Sequence, residues 1–555
     1  MITNKYNNKV MAVLISCLLP LTSHLLVGCS DEWNSHYDVE AADNGTLWQA
    51  ISAQGNLGNF TRVVKACGYD IILDGSQTFS VFAPTDDTFT TAQADSMIDA
   101  FQKQQAAGVR SNDNTIVRQF IQNHISLYRH PVSSLTGDSI KMMNGKYEVL
   151  TSSSLGNRVL STTNALCNNG LLFTVDRQLD YFPNVFEYLG HDQELDSVYQ
   201  FLNRYSVYEF NDAKSIPGEI VDGMTIYLDS VSDLRNSLLE TNGLINSEDS
   251  TYWMVCPTNS EWSRLLAAYE PYFNYSNAVA KRDSMIYANT RMAIVGGTIF
   301  SRTQNPDAAF NDSAVSTKAT AYSIRRLMNE ENAYYIYKKP FDRGGIFYGT
   351  DDIVCSNGHV RKANQFNVSK YDTFLQTVKV EAESILSQDT IIDAVDPLIV
   401  REVTSDNPFY GKVSGNSFVE VVPDPATAQV TVRFKIPNIL SNVSYDIYGV
   451  FAPVTAYDVL ATEEAAKPNL IRSILYWDDQ NGRESLRRYN ANITTNPAVV
   501  DTVLLVSDCS FPTCSYGLSD AQVKLAIRSN VSARQTATHS NTLRIDCLII
   551  KPREQ

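Results

Sequence analysis

The chain reads as an α+β protein in which one mixed helix-and-strand scaffold occurs twice and is followed by an all-β sandwich. Three observations predict this. The box TFSVFAPTDDTF at 78–89 is echoed by YWMVCPTNSEW at 252–262. LGNFTRVV (57–64) and LDSVYQFL (195–202) share apolar positions 1, 4, 7 and 8, the spacing of one buried helical stripe. Beyond Phe418, short segments of alternating apolar and polar residues are divided by turns, as in antiparallel strands with one wet face.

The order of the matches predicts a tandem copy. The helical stripes lie 138 residues apart, Pro84 and Pro257 lie 173 apart, and Cys167-Asn168-Asn169-Gly170 precedes Cys355-Ser356-Asn357-Gly358 by 188. An offset that only grows describes one scaffold with two insertions in its second copy, of 35 and then 15 residues. Within the box, Val81 and Ala83 face a core, and Pro84 ends the strand because it has no N–H for a ladder. Thr85 or Asp86 is then expected to cap a following helix that carries Phe89. Asn169-Gly170 supplies positive-φ turn chemistry ahead of the last strand.

TFSVFAPTDDTF, QNHISLY (122–128) and NNGLLFTVDRQL (168–179), behind an amphipathic first helix, resemble the hallmark segments of a fasciclin domain. The resemblance places a fasciclin-like domain 1 at 45–182 and a diverged, insertion-bearing domain 2 at 183–368. Aligning RMAIVGGTIF (291–300) with RQFIQNHISL (118–127) sets Gly297 at the place of His124, and Asn364 falls near the place of Asp176. The resemblance implies that His124 supports the fold by hydrogen bonding. It also implies that such domains serve as non-catalytic adhesion or interaction modules.

Residues 1–28 read as an export signal, with Lys5 and Lys9 ahead of the apolar run VMAVLISCLLPLTSHLLVG. Leu26-Val27-Gly28-Cys29 resembles a bacterial lipobox, which implies lipid attachment at Cys29, acylation such as palmitate, and a lipid-anchored linker over 29–44. Ser30-Asp31-Glu32 resembles an acidic surface-sorting tag, so the expected location is the cell outer membrane, facing outward. With 45 basic and 61 acidic residues and a net charge of −16, nucleic acid is not an expected partner. The expected partners are the membrane, through the lipid anchor, and a surface partner. That partner is either protein, in a TonB-dependent (SusC/SusD-like) nutrient-uptake complex, or polysaccharide.

Residues 371–405 read as a linker with a helical pattern around VKVEAESIL, and 406–555 as the sandwich. Its last strand, LRIDCLIIKP, resembles the closing strand of jelly-roll carbohydrate-binding modules. Trp477-Asp478-Asp479-Gln480-Asn481-Gly482 sets an aromatic plane beside carboxylates, which makes Trp477, Asp478, Asp479 and Asn481 the candidate ligand-binding residues. A polar hairpin turn with a packed Trp is the plainer reading. HExxH, GxSxG, phosphate-loop and CxxC motifs are missing and the histidines are scattered, so no catalytic residue, metal site or cofactor is expected. Cys509 and Cys514 flank SFPT and could pair, whereas Cys67, Cys167, Cys256, Cys355 and Cys547 read as core fillers. Asp-Ser/Thr before a small or apolar residue recurs along the chain, as at Asp95-Ser96-Met97, Asp196-Ser197-Val198 and Asp501-Thr502-Val503. The pattern resembles the O-glycosylation signal of exported proteins in certain Gram-negative gut bacteria, and helix capping is the alternative.

Overall fold

The computed structural model describes residues 45–132, 137–221, 223–302, 305, 307–317, 335–462 and 466–554. Cys29 and the segment expected as an export signal lie outside them. The described chain divides into two units, one of residues 45–181 with Phe210–Ser232, the other of Phe182–Glu209 with 233–554.

In the first unit the opening box forms β1 (Phe79–Pro84), buried along its whole length. Its sheet continues with β2 (Ile125–Leu127), β3 (Asp138–Lys141), β4 (Tyr147–Leu150), β5 (Ser154–Leu155), β6 (Arg158–Cys167) and β7 (Gly170–Val175), in the spatial order β2-β1-β7-β6-β5-β4-β3. One face packs on α1 (Leu47–Ala53), α2 (Gly58–Ala66), α3 (Tyr69–Asp74) and α4 (Thr91–Ala106). The expected stripe on α2 is the buried one: Leu57, Phe60, Val63 and Val64 are fully enclosed.

Asp86 works differently from expectation. Its two carboxylate oxygens accept from the N–H groups of Gly58 and Asn59, both at 2.9 Å, so it caps α2, which precedes it in the chain. The helix after the box begins beyond Phe89 and is capped by Thr90. Asn259 repeats the device, accepting from the Ser197 N–H at 2.9 Å. The box therefore ties a strand end to an earlier helix.

The second copy has α5 (Val185–His191), α6 (Asp196–Asn203), α7 (Ser237–Asn242), α8 (Asn259–Tyr269) and α9 (Arg282–Val295). Between α6 and α7 come β8 (Ser206–Phe210), β9 (Ile216–Val221), β10 (Met224–Asp229) and β11 (Ser232–Asn236). Its four-stranded sheet, β13-β12-β17-β16, is built from β12 (Tyr252–Pro257), β13 (Ile299–Ser301), β16 (Asp351–Cys355) and β17 (Gly358–Ala363). A separate pair, β14 (Ser313–Val315) with β15 (Ile336–Lys338), lies between β13 and β16 in the chain. The sequence boundary at 183 needs one correction. The β9–β10 ribbon groups with the first unit, where Ile216 is buried in the α1–α4 core and Asn112 Nδ2 donates to the Ser230 carbonyl.

Register shows that the two copies share one plan. The parallel pair β1/β7 sets Phe79 against Gly170 through Pro84 against Val175; β12/β17 sets Tyr252 against Gly358 through Pro257 against Ala363. A buried asparagine stands before each closing strand. Asn169 Oδ1 accepts from the Leu47 N–H at 2.7 Å, while its Nδ2 donates to the Leu73 and Gly75 carbonyls at 2.8 and 2.7 Å. Asn357 makes the same three bonds, to Val185 N–H at 2.8 Å and to Ile245 and Ser247 carbonyls at 2.9 and 2.8 Å. The glycine that follows each is required by contact, because a Cβ on Gly170 or Gly358 would collide with the carbonyl of Phe79 or Tyr252.

The same register corrects the alignment of His124. Ile125 pairs with Val81 and Ile299 pairs with Met254. The Phe82 and Val255 N–H groups donate to the His124 and Thr298 carbonyls, both at 2.9 Å. Thr298, not Gly297, therefore stands at the place of His124. A one-residue slip exchanges the faces of a strand, so such an error reverses which side chain enters the core.

Segment 371–405, expected as a linker, contains three strands of the sandwich: β18 (Val378–Glu381), β19 (Gln388–Ile392) and β20 (Ile399–Glu402). Val378, Val380 and Ala382 are buried in strand alternation, which in a short apolar run imitates a helical pattern. The remaining strands are β21 (Ser417–Val421), β22 (Thr431–Ile436), β23 (Ser444–Phe451), β24 (Leu470–Asp478), β25 (Glu484–Thr494), β26 (Asp501–Ser510), β27 (Val523–Ser529) and β28 (Leu543–Pro552). They form two antiparallel sheets, β20-β21-β28-β23-β26 with β18 also on β28, and β19-β22-β27-β24-β25. One hydrophobic core runs from the second copy into the sandwich.

Each asparagine bracket closes two backbone loops on one side chain. We expect Asn169→Ala and Asn357→Ala each to lower the stability of its own unit by about 3 kcal/mol, since buried amide and carbonyl groups lose their partners. Urea unfolding followed by tryptophan fluorescence and circular dichroism checks this.

Candidate functional site

His124 has no accessible surface. Its Nδ1 lies 2.7 Å from the Phe120 carbonyl, and its Nε2 accepts from the Leu179 N–H at 2.9 Å. With Nδ1–H donating, the ring is neutral and both nitrogens are used by the backbone. Burial first, then the nearby Arg158 charge, push its pKa down to about 4 against the pull of the Phe120 carbonyl. This is a strut of the first copy.

The sequence candidates come together at the tip of the β24–β25 hairpin, where the turn itself uses them. Asp479 Oδ1 accepts from the N–H groups of Asn481 and Arg483 at 2.8 and 3.0 Å, and these backbone bonds hold its carboxyl below its ordinary range. Trp477 is partly buried against the main core. Asp478 has its carboxyl raised by burial and by the carboxylates of Glu484, Asp520 and Asp479, with Lys524 opposing. Gln480 Nε2 donates to the Tyr275 carbonyl at 3.1 Å, and its own carbonyl accepts from the Asn277 N–H at 2.9 Å. The loop thus clasps the sandwich to the second copy, within the second unit.

Behind this hairpin lies a different site that the sequence did not mark. Along β22, β24 and β27, Val432, Phe434, Ile436, Ile471, Leu475, Leu525 and Ile527 are buried, so the alternate positions point outward. Register places Tyr476 against Lys524 and Arg472 against Arg528 across β24/β27. Across β22/β27 it places Lys435 against Lys524 and Arg433 against Ala526. On β25, Leu486 and Arg488 stand opposite Tyr476 and Ile474.

Asp389, from β19, pairs with Arg433 and lies 3.5 Å from Lys524 Nζ. Glu484 Oε2 lies 3.7 Å from both cations. Burial raises the Asp389 carboxyl, but the Thr390 hydroxyl, Arg433 and Lys524 together hold it below its ordinary range. The Arg433 guanidinium stacks 4.9 Å over the Tyr476 ring. The face thus sets donors and acceptors around one aromatic ring.

Two further clusters are present. A cavity of about 580 Å³ in the second copy is lined by Thr251, Trp253, Arg302, Ser356 and His359 among others. There Trp253, His359 and Arg361 occupy the register positions of Ser80, Leu171 and Phe173 in the first copy, where Leu171 and Phe173 are buried. In the sandwich, Glu381, Asp546 and Cys547 offer ligand atoms within 4.8 Å of one another. Lys379 Nζ already lies 2.9 Å from Glu381 Oε1. Burial first, with Glu381 and Glu383 adding to it, raises the Asp546 carboxyl to about 7 against the Ser414 N–H and Lys379. None of the seven described cysteines is in a disulfide, and all are buried. Cys509 and Cys514 are therefore unpaired with each other, each held in its own packing site with its thiol raised to about 12 by burial.

No family model matches the chain, and no curated protein matches it. Among solved structures the chain is similar to a FAS1 domain pair from the insect cell adhesion molecule fasciclin I, at 12% identity over 57% of this chain and 99% of that one, TM-score 0.18. It is similar to the CBM22-1 xylan-binding domain of Xyn10C from Paenibacillus barcinonensis, at 14% identity over 33% and 92%, TM-score 0.19. It is also similar to the ANX2 ectodomain from Arabidopsis thaliana, at 7% identity over 44% and 73%, TM-score 0.22. At these scores the equivalence of the two copies rests on their registers and asparagine brackets alone.

The neutral His124 has a pH consequence. The unfolded chain takes up a proton below pH 6.5, whereas the folded ring takes one only near pH 4. Its contribution to stability is therefore complete above pH 6.5 and is lost as the pH falls toward 4, by about 3 kcal/mol in all. Urea midpoints of the first unit at pH 7.5 and 4.5 should show this slope, and His124→Ala should lower stability at pH 7.5 and flatten the slope.

Proposed function

We propose that the protein is a non-catalytic, lipid-anchored surface protein that binds glycan through the outer face of the β19-β22-β27-β24-β25 sheet. The observation that carries this reading is the outward lattice of Tyr476, Arg433, Lys524, Asp389 and Glu484, which sets a partly covered aromatic ring among fixed donors and acceptors. Open sheet faces of this kind suit an extended polymer better than a small enclosed molecule. The jelly-roll resemblance of the closing strand supports the same reading.

An adhesion or transporter-accessory role is the second reading, and the β9–β10 ribbon favours it. Ile220, Met224 and Ile226 on that ribbon are each more than half exposed, an apolar surface suited to a protein partner.

Affinity gel electrophoresis of the full mature chain against a panel of plant and microbial polysaccharides tests the glycan reading. We expect retardation by at least one of them, weakened by about tenfold in Tyr476→Ala with the melting curve unchanged. Retardation by none would leave the protein-adhesion reading in its place. The anchor has its own test: Cys29→Ala should move the protein from the membrane fraction to the soluble fraction, and sedimentation unchanged from wild type would refute lipid attachment.

A further inference from the structure

The charge on the same sheet face names the class of glycan, an inference that rests on the reading above. We propose that the outer face of β22, β27, β24 and β25 takes an acidic polysaccharide, one whose repeat carries carboxylate or sulfate groups. Six cationic side chains project there: Arg433, Lys435, Arg472, Arg488, Lys524 and Arg528. The acidic side chains beside them are Asp389 and Glu484, both engaged with Arg433 and Lys524, and Asp478, which stands opposite Glu484 and also faces the Lys524 charge.

The other four have no carboxylate partner among the described residues. Arg472 Nε donates to Asn492 Oδ1 at 2.9 Å and Arg528 Nη2 donates to Gln429 Oε1 at 3.2 Å, both neutral acceptors. This occurs in a chain of net charge −16, where an average patch of surface is acidic.

The arrangement also runs against what a sheet prefers. Lys435 stands directly opposite Lys524, and Arg472 directly opposite Arg528. Like charges at directly opposed positions destabilise a strand pair. The fold does not demand them, because Thr431 and Ala526 occupy sister positions on the same face with neutral side chains. An anion lying between the members of each pair reverses the sign of the interaction.

Strands lie about 4.8 Å apart, so the row from β22 across β27 to β24 spans about 10 Å, a path for a chain that presents anions at intervals. Single-stranded nucleic acid satisfies the same charges but adds to them stacking on exposed aromatic planes. The aromatic ring on this face, Tyr476, is partly covered by Arg433.

The test uses the full mature chain in affinity electrophoresis and calorimetry with polygalacturonate, dextran sulfate, neutral xylan and single-stranded DNA. The expected result is binding to polygalacturonate or dextran sulfate, whichever anion the site prefers, with affinity falling about tenfold or more between 50 and 300 mM NaCl. Arg472→Ser with Arg528→Ser should abolish most of it while leaving the thermal midpoint equal or higher, since a repulsive pair is removed. Arg488→Ser, on an exposed edge position, gives a second readout with no packing to lose. Xylan bound more tightly than either polyanion would overturn the acidic assignment and leave glycan binding standing. Binding to none of the three glycans would end both. DNA bound as tightly as the acidic glycans would show undiscriminating polyanion adhesion and would also overturn the proposal.

Discussion

The structure depends on a buried asparagine whose three hydrogen bonds stitch the start of a helix, the end of a loop and the mouth of the closing strand into one point. Asn169 and Asn357 do this in the two copies with the same atoms in the same roles. A parallel strand pair must be joined by a long crossover, so its register is not fixed by any hairpin. The bracket fixes it instead. Once the asparagine is seated, the glycine after it lies against the first residue of the central strand, and the six-residue ladders follow.

Because the interior is fixed by backbone groups, the outward face of that strand pair is free to change. In the first copy Phe82 stacks on Phe173 at 4.8 Å, and β3–β6 carry Ile140, Met142, Leu150 and Leu160 into the same cluster. In the second copy those positions hold Val255 and Arg361, and Arg361 bonds to the Thr350 hydroxyl and Asp352 instead. The same ladder thus supports an apolar layer in one copy and, in the other, an aromatic cluster around Trp253 on which Arg361 stacks.

This division explains what was legible in the sequence. Buried periodicity survives divergence, so the stripes on α2 and α6, the Pro-Thr boxes and the Asn-Gly closures could all be read. Features that rest on long-range pairing could not. The capping carboxylate of Asp86 serves a helix 28 residues earlier, and local rules assign it to the wrong one. The Thr298 register depends on a cross-strand bond to Val255 that no local pattern records. The Trp477 loop stood out because its composition is unusual, yet that composition belongs to a tight turn docked on Tyr275 and Asn277. The cationic face left no motif, since its residues come from four strands and lie up to 95 positions apart, from Arg433 to Arg528, and only pairing brings them together.

Magnitudes decide why such a face can persist. Each fully buried Val, Leu, Ile or Phe on the inner side of this sheet contributes about 1.5–3 kcal/mol, whereas one pair of opposed like charges on a wet face costs at most about 1 kcal/mol. Val432, Phe434, Ile436, Leu525 and Ile527 alone outweigh both repulsive pairs. The outer face therefore carries charges that the sheet tolerates without needing. Asp389 and Glu484 neutralise Arg433 and Lys524 and fix their geometry, which leaves Lys435, Arg472, Arg488 and Arg528 as cations held in register. Such a sheet neutralises part of the row through its own carboxylates and leaves the rest to solvent and counterions.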